Sequence, residues 1–329
     1  MSLTVCGERT VMLRSWLMAL SESRRIRSLA EHSALGQKLS RRFVAGTTVE
    51  DLILAAVAMN RAGVRVTVDS LGENVTNCEE ALRSEARYHQ LLDQMARCKL
   101  DANVSLKLTH LGLDVDESLA HTTVEELLQH AIAIGGFIRV DMEGSAYTQR
   151  TLNLVRELHR RPGAAGHIGV VLQAYLYRTE EDARLLCSEG IRIRLCKGAY
   201  QEAAAIAYPS KPEVDANYLR VAQQILGYGL RYGLRHGLRS GLFHGLATHD
   251  EKIIGAIQAW TLQEGIPKTA FEFQMLHGVR RDLQESLAKQ GWGVRCYIPF
   301  GTEWYPYFMR RLAERPANVW FVLKSCWKG

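Results

Sequence analysis

Tyr297-Ile298-Pro299-Phe300-Gly301-Thr302-Glu303-Trp304-Tyr305-Pro306-Tyr307-Phe308-Met309-Arg310-Arg311-Leu312-Ala313-Glu314 reads as the last strand-and-helix unit of a long series. It starts as an apolar strand end, turns at Pro299-Phe300-Gly301, and enters an aromatic helix that carries two adjacent arginines. Each guanidinium offers a rigid fork of donors that matches a carboxylate. Such a pair also serves as an ordinary solvated helix face, so the rest of the chain has to decide its role.

Working back from this unit, strand patterns fall at 64–68, 103–108, 137–142, 168–174, 191–196, 242–247, 271–276 and 294–298. Helical patterns follow them at 76–98, 120–134, 146–160, 179–188, 213–226, 250–264, 280–290 and 304–314. Eight strands, each followed by a helix, predict an α/β fold of the (β/α)8 TIM type, in a distorted form preceded by N-terminal helices. The apolar strand runs agree with burial on both faces, as parallel sheets require. An open doubly wound sheet would want a G-x-G-x-x-G after its first strand, and none is there. Two domains follow. Residues 1–62 form a helical arm packing on the barrel, with a helix over 51–59 capped by Thr47 or Thr48 and stopped at Gly63. Residues 63–329 form the catalytic barrel with its C-terminal substrate-binding helix.

Composition narrows the function. Of 329 residues, 47% are hydrophobic and 23% charged, and 41 basic against 35 acidic side chains leave +6. That charge is mild and no basic run is interleaved with aromatics, so nucleic acid is excluded as a partner. Seven scattered cysteines without a C-x-x-C indicate neither a disulfide framework nor a zinc knuckle, and fit a reducing compartment. No uncharged apolar run approaches a membrane span of about 18 residues. The apolar stretch 11–20 is interrupted by Arg14 and reads as a docking helix rather than a signal peptide; Glu8 and Glu22 weaken a mitochondrial presequence.

Polar residues gather at one place in every unit, the C-terminal end of the strand. Asp69 and Glu73 follow strand one, Lys107 ends strand two, and Asp141 and Glu143 end strand three. Gln173 and Tyr175 end strand four, Arg194 and Lys197 strand five, and Thr248, His249 and Asp250 follow strand six. Glu272 and Gln274 lie in strand seven and Tyr297 ends strand eight. That rim is where barrel enzymes keep their active sites. Lys107, Arg194, Lys197, Arg310 and Arg311 make it cationic, with Asp141 and Glu272 as counter-charges, which suits an anionic ligand. In Arg194-Leu195-Cys196-Lys197-Gly198-Ala199-Tyr200 the cations precede a Gly-Ala turn that allows close backbone approach to a flat or phosphorylated group. No metal-ligand spacing stands out, and His249 reads as a hydrogen-bonding structural residue. No G-x-S-x-G elbow occurs and no cysteine has a histidine partner in sequence. The residues alone describe a barrel enzyme with an anionic substrate and a phosphate-bearing cofactor.

Seven motifs, in order, resemble the short, monofunctional bacterial form of the proline dehydrogenase family. They are Val104-Ser105-Leu106-Lys107-Leu108-Thr109-His110-Leu111-Gly112-Leu113, Arg139-Val140-Asp141-Met142-Glu143, Val171-Leu172-Gln173-Ala174-Tyr175-Leu176, the Arg194–Tyr200 stretch, Ala247-Thr248-His249-Asp250, Phe271-Glu272-Phe273-Gln274-Met275-Leu276-His277-Gly278, and the opening stretch. The resemblance implies an FAD enzyme that oxidises L-proline to Δ1-pyrroline-5-carboxylate, with hydride passing from proline C5 to flavin N5 and electrons to a membrane quinone. It implies that Lys107, Arg310 and Arg311 hold the proline carboxylate. Tyr297 and Tyr307 would pack on the pyrrolidine ring, with Leu195 joining them. Asp141 and Arg194 match the catalytic positions, Arg194 beside flavin N5. Met142, Gln173, Cys196, Lys197, Gly198, Thr248 and His249 would carry FAD. Glu314 would fix the arginines by ion pairing and is counted with the cofactor set. A separate pyrroline-5-carboxylate dehydrogenase would act downstream, since the fused bifunctional form is not expected at this length. The implied place is the cytoplasm, with a peripheral position on the inner face of the cytoplasmic membrane for quinone access. A related oxidoreductase acting on hydroxyproline or another cyclic amino acid, or a catalytically altered barrel, is the alternative.

Three features depart from the family pattern. Gly144 stands where another acid is usual, Cys196 replaces a commoner valine, and Gly227–Leu246 is a period-four repeat longer than the usual passage into strand six. The period stacks Leu230, Leu234 and Leu238 beside Arg231, Arg235 and Arg239. Such a patch could touch an anionic membrane surface, against the plainer reading of a surface expansion without a role.

Overall fold

The computed structural model describes residues 40–235 and 242–314, with isolated positions at 30, 31, 33 and 36. The chain order is α1 (Val49–Arg61), β1 (Arg65–Ser70), α2 (Cys78–Arg97), β2 (Ala102–Leu106), α3 (Glu117–Ala133), β3 (Ile138–Val140), α4 (Ser145–His159), β4 (Ile168–Gln173), α5 (Thr179–Ser188), β5 (Arg192–Cys196), α6 (Lys211–Arg235), β6 (His244–Ala247), α7 (Glu251–Gln263), β7 (Phe271–Leu276), α8 (Arg281–Lys289), β8 (Gly293–Phe300) and α9 (Trp304–Glu314). The strands pair in sequence order and β8 pairs back onto β1, closing an eight-stranded barrel. Every pairing is parallel.

The two strand faces differ in chemistry. Val66, Val68, Val104, Leu106, Ile138, Val140, Ile193, Leu195, Leu246 and Ile298 face the helices and belong to one large core. The alternate residues, which point into the lumen, include Thr67, Ser105, Arg139, Arg194, Glu272, Gln274 and Arg295, all buried. Burial on both faces is therefore as expected, but only one face is apolar. The lumen is a hydrogen-bonded interior.

Local signals set the boundaries. Thr48 caps α1 in a reciprocal box with Asp51, and Gly63 ends the turn behind it with φ +74°. Asp69 lies inside β1 instead of after it, and β3 is shorter than its apolar run. The largest difference is α6, which continues nine residues past its expected end at 226, to Arg235. Glycines cost helix stability, but here Tyr228 and Leu230 pack against the core and the Arg231 guanidinium lies 4.8 Å from the Tyr228 ring centroid. Gly229 also lets the helix approach the His244 ring, where a Cβ would sit 3.0 Å away. Residues 236–241 of the repeat, and with them Leu238 and Arg239, lie outside the described residues, as do the side chains of Leu234 and Arg235.

At the C-terminal end of the strands, Trp304, Tyr305, Tyr307, Phe308 and Met309 of α9 pack with Phe43, Val44 and Leu71. Burying side chains of this size stabilises by about 1.5–3 kcal/mol each, which seats α9 at the barrel mouth. Backbone bonds from Ala45 to Pro299 O and from Gly301 to Gly46 O tie the preceding segment to the end of β8. Among the described residues no helix is long and apolar enough to cross a membrane.

Candidate active site at the barrel mouth

Asp141, just past β3, is the centre of the mouth. Its Oδ1 accepts from Ser105 Oγ at 2.8 Å and from Arg194 Nη1 at 2.8 Å, and its Oδ2 accepts from Tyr297 Oη at 2.8 Å. Arg194 is buried and also donates to Ser105 Oγ (3.0 Å), Thr67 Oγ1 (3.3 Å) and Gln274 Oε1. Its guanidinium sits 5.1 Å from the Tyr297 ring centroid. Burial first, then Asp141 and Asp69, push the Tyr297 phenol well above its usual pKa, so it stays a neutral donor.

Beside this cluster Lys107 Nζ meets both oxygens of Asp69, at 3.1 and 3.2 Å. Burial opposes the lysine charge, but Asp69, then Asp141 and Glu73, outweigh it and hold the ammonium well above its ordinary pKa. Burial raises the Asp69 carboxyl against the pull of Lys107. Below the mouth the polar chain continues: Gln274 Nε2 donates to Glu272 Oε1 at 2.7 Å, and Arg295 Nε donates to the same oxygen.

The β4–β6 side offers a different set of groups. Gln173 Nε2 donates to Glu143 O at 2.9 Å, and Tyr175 N donates to Lys197 O at 2.9 Å. Gly198 has φ +111°, and a Cβ there would lie 2.4 Å from the Tyr175 ring. Lys197 Nζ pairs with Asp215 (2.6 Å) and Asp250 (3.0 Å). Thr248 Oγ1 accepts from Asp250 N at 3.1 Å. His249 Nε2 accepts from Leu276 N at 2.9 Å, which puts any ring proton of the neutral side chain on Nδ1.

The structure thus brings Lys107, Asp141, Arg194 and Tyr297 together, and sets Gln173, Cys196, Lys197, Gly198, Thr248 and His249 along the neighbouring strand ends. Met142 is buried in the large core. Leu195 stands apart: strand alternation turns it away from the lumen and from Arg194, into the layer between strands and helices. Tyr307 is buried on α9. Arg310, Arg311 and Glu314 belong to the same helix, but their side chains lie outside the described residues. Sequence reading missed Thr67 and Ser105, each two residues before a rim residue on the same strand face, and the pairing of Asp69 with Lys107. Two thiols also find imidazoles, Cys187 with His244 (3.8 Å) and Cys296 with His277 (4.0 Å). Burial pushes both thiols up to about 12, far from reactive.

A family model described as proline dehydrogenase matches residues 53–324. The chain belongs to the proline dehydrogenase family. It is 37% identical to Proline dehydrogenase 1 of Bacillus subtilis (strain 168) over 318 residues, 96% of this chain and 100% of that protein. It is 38% identical to the Proline dehydrogenase of Deinococcus radiodurans over 321 residues, 97% of this chain and 99% of that one. Its fold is similar to the crystal structure of proline utilization A from Bdellovibrio bacteriovorus inactivated by N-propargylglycine, with TM-score 0.76 and 25% identity over 84% of this chain. The chain spans 32% of that longer protein.

Proposed function

We propose that this proline dehydrogenase family member oxidises L-proline to Δ1-pyrroline-5-carboxylate with FAD, the first step of proline catabolism. The observation that carries the reading is the Asp141–Arg194–Tyr297 cluster beside Lys107, at the C-terminal mouth of the barrel.

What supports FAD is the donor set along β4 to β6. Gln173 offers an amide, Arg194 a guanidinium, and Lys197-Gly198 a half-exposed backbone at a positive φ that only glycine adopts easily. Met142, Gln173, Arg194, Cys196, Lys197, Gly198, Thr248 and His249 are proposed to hold it. Bound FAD would accept the hydride from proline C5.

The chain's own residues bind and orient. An ammonium carries three donors, and the contacts of Lys107 with Asp69 leave capacity for the proline carboxylate. Arg310 and Arg311 from α9 complete the clamp, with Glu314 pairing to them. Fixed orientation is what hydride transfer most needs. Tyr297 and Tyr307 are assigned to the pyrrolidine ring, a role the outward-facing Leu195 does not share. Asp141 holds Arg194 and Tyr297 in place, and the cationic clamp favours the neutral proline amine that gives up hydride. A membrane quinone is proposed as electron acceptor, reached by a peripheral cytoplasmic enzyme, and a separate pyrroline-5-carboxylate dehydrogenase as consumer of the product.

Purified protein should show a flavin spectrum that L-proline bleaches under anaerobic conditions. A colourless protein that takes up no FAD sinks the reading, and bleaching by hydroxyproline but not proline changes the substrate.

A further inference from the structure

On the outside of the barrel α2 and α3 pack side by side, and a group of polar side chains meets between them away from the mouth. Glu85, His89 and Asp93 recur every fourth residue on α2, and Glu126 and His130 are spaced the same way on α3, so each set lines one helix face. The His89 and His130 rings stack with centroids 5.0 Å apart.

The hydrogen bonds assign the protons. His130 Nε2 lies 3.1 Å from Asp93 Oδ1, and a carboxylate only accepts, so this nitrogen carries the proton. In the neutral imidazole His130 Nδ1 is then an acceptor. It lies 2.7 Å from His89 Nδ1, which must be the donor. His89 Nε2 is left with a lone pair, 3.9 Å from Glu85 Oε1. One ligand atom each from Glu85, His89 and Glu126 lie within 4.8 Å of one another. Three acceptors converge, and the Glu85 side chain is only 12% exposed.

We propose that Glu85, His89 and Glu126 bind a divalent first-row transition-metal ion that clamps α2 to α3. An imidazole with two carboxylates selects such ions over magnesium, which prefers an all-oxygen octahedron. Three protein ligands leave a position for water. Asp93 and His130 are positioning residues: their relay fixes the His89 tautomer, as a carboxylate–histidine–metal arrangement does. Tyr88, one residue back and about 100° round the helix, is buried against His110, while the proposed ligands line the contact between α2 and α3, so the metal would act on the helix pair.

The test is calorimetric titration of chelator-treated flavoprotein with Zn2+ alone, alongside melting curves. One equivalent should bind and raise the melting temperature, and His89→Ala and the exposed-site variant Glu126→Gln should each lose that equivalent. Asp93→Asn should weaken binding by about tenfold, and proline turnover should stay near wild type in all three. Absence of Zn2+ binding, unchanged binding in both ligand variants, or equal binding of Mg2+ overturns the proposal.

Discussion

Tyr297 donates its phenol proton to Oδ2 of Asp141 at 2.8 Å, joining β8 to the segment just past β3. The other oxygen of the same carboxylate takes Arg194. Replacing Tyr297 by Phe removes one donor and leaves the ion pair whole. A hydrogen bond to a charged group contributes about 1.5–3 kcal/mol, so kcat/KM for proline should fall about 10- to 100-fold with flavin still bound. Asp141→Ala is the harsher change, because it strands a buried guanidinium at a cost of about 3–5 kcal/mol. A clear drop in melting temperature is expected from it and not from Tyr297→Phe. Equal melting of the two variants would show that the ion pair does not anchor the mouth.

Lys107→Met should raise KM for proline by at least about tenfold while flavin content holds. The fold should tolerate it, since burial already raises the Asp69 carboxyl and the abandoned group can take up a proton. Arg310→Met and Arg311→Met should raise KM in the same way. Steady-state kinetics of the three decide, and an unmoved KM assigns that cation a structural role.

Gly198→Ala places a methyl group against the Tyr175 ring at a φ of +111°. Strain of this kind costs about 1–3 kcal/mol, and it falls on the loop proposed to meet the cofactor. The flavin-to-protein absorbance ratio of purified protein should drop, with turnover per bound flavin preserved. A normal ratio would remove the loop from the cofactor's supports.

Three buried imidazoles predict acid sensitivity. Burial first, with nearby cations adding to it, holds His110 and His244 at about 3 and His277 at about 4, all below the ordinary value. Below about pH 6.5 the unfolded chain binds protons that the folded one refuses, so stability falls as pH is lowered, towards the folded pKa of each group. Each contributes up to about 1.4 kcal/mol per pH unit in that window. Melting temperatures should therefore decline from pH 6.5 to 5, and His110→Asn should flatten part of the slope. A flat profile contradicts the neutral assignment.

Much of the fold was legible because each unit signals itself locally. The β7 run matches its strand from end to end, and the Thr48 box and Gly63 mark α1 by residue type alone. The errors have physical causes. β3 looked longer because 137–142 is mostly apolar, but the chain leaves the sheet after Val140, where Asp141 meets Ser105, Arg194 and Tyr297. The helix before β6 was expected to end at 226 because glycine propensity is a local cost, outweighed here by the packing of Tyr228 and Leu230. Leu195 was assigned to the substrate by resemblance, although its neighbour Arg194 already implied the opposite face.

Residue type and period by themselves determined eight strand-and-helix units and a polar residue at each strand end, because these are properties of neighbours along the chain; the family came from the resemblance of seven ordered motifs. Which polar groups meet was decided only by closure of the barrel. Lys107 and Asp69 are 38 residues apart, Arg194 and Asp141 53, and Tyr297 and Asp141 156. Their contacts depend on strand register, which pairs Thr67 with Tyr297 and Asp69 with Ser105. Register is set by the whole sheet, because a slip of one residue would turn the polar face into the helices and the apolar face into the lumen.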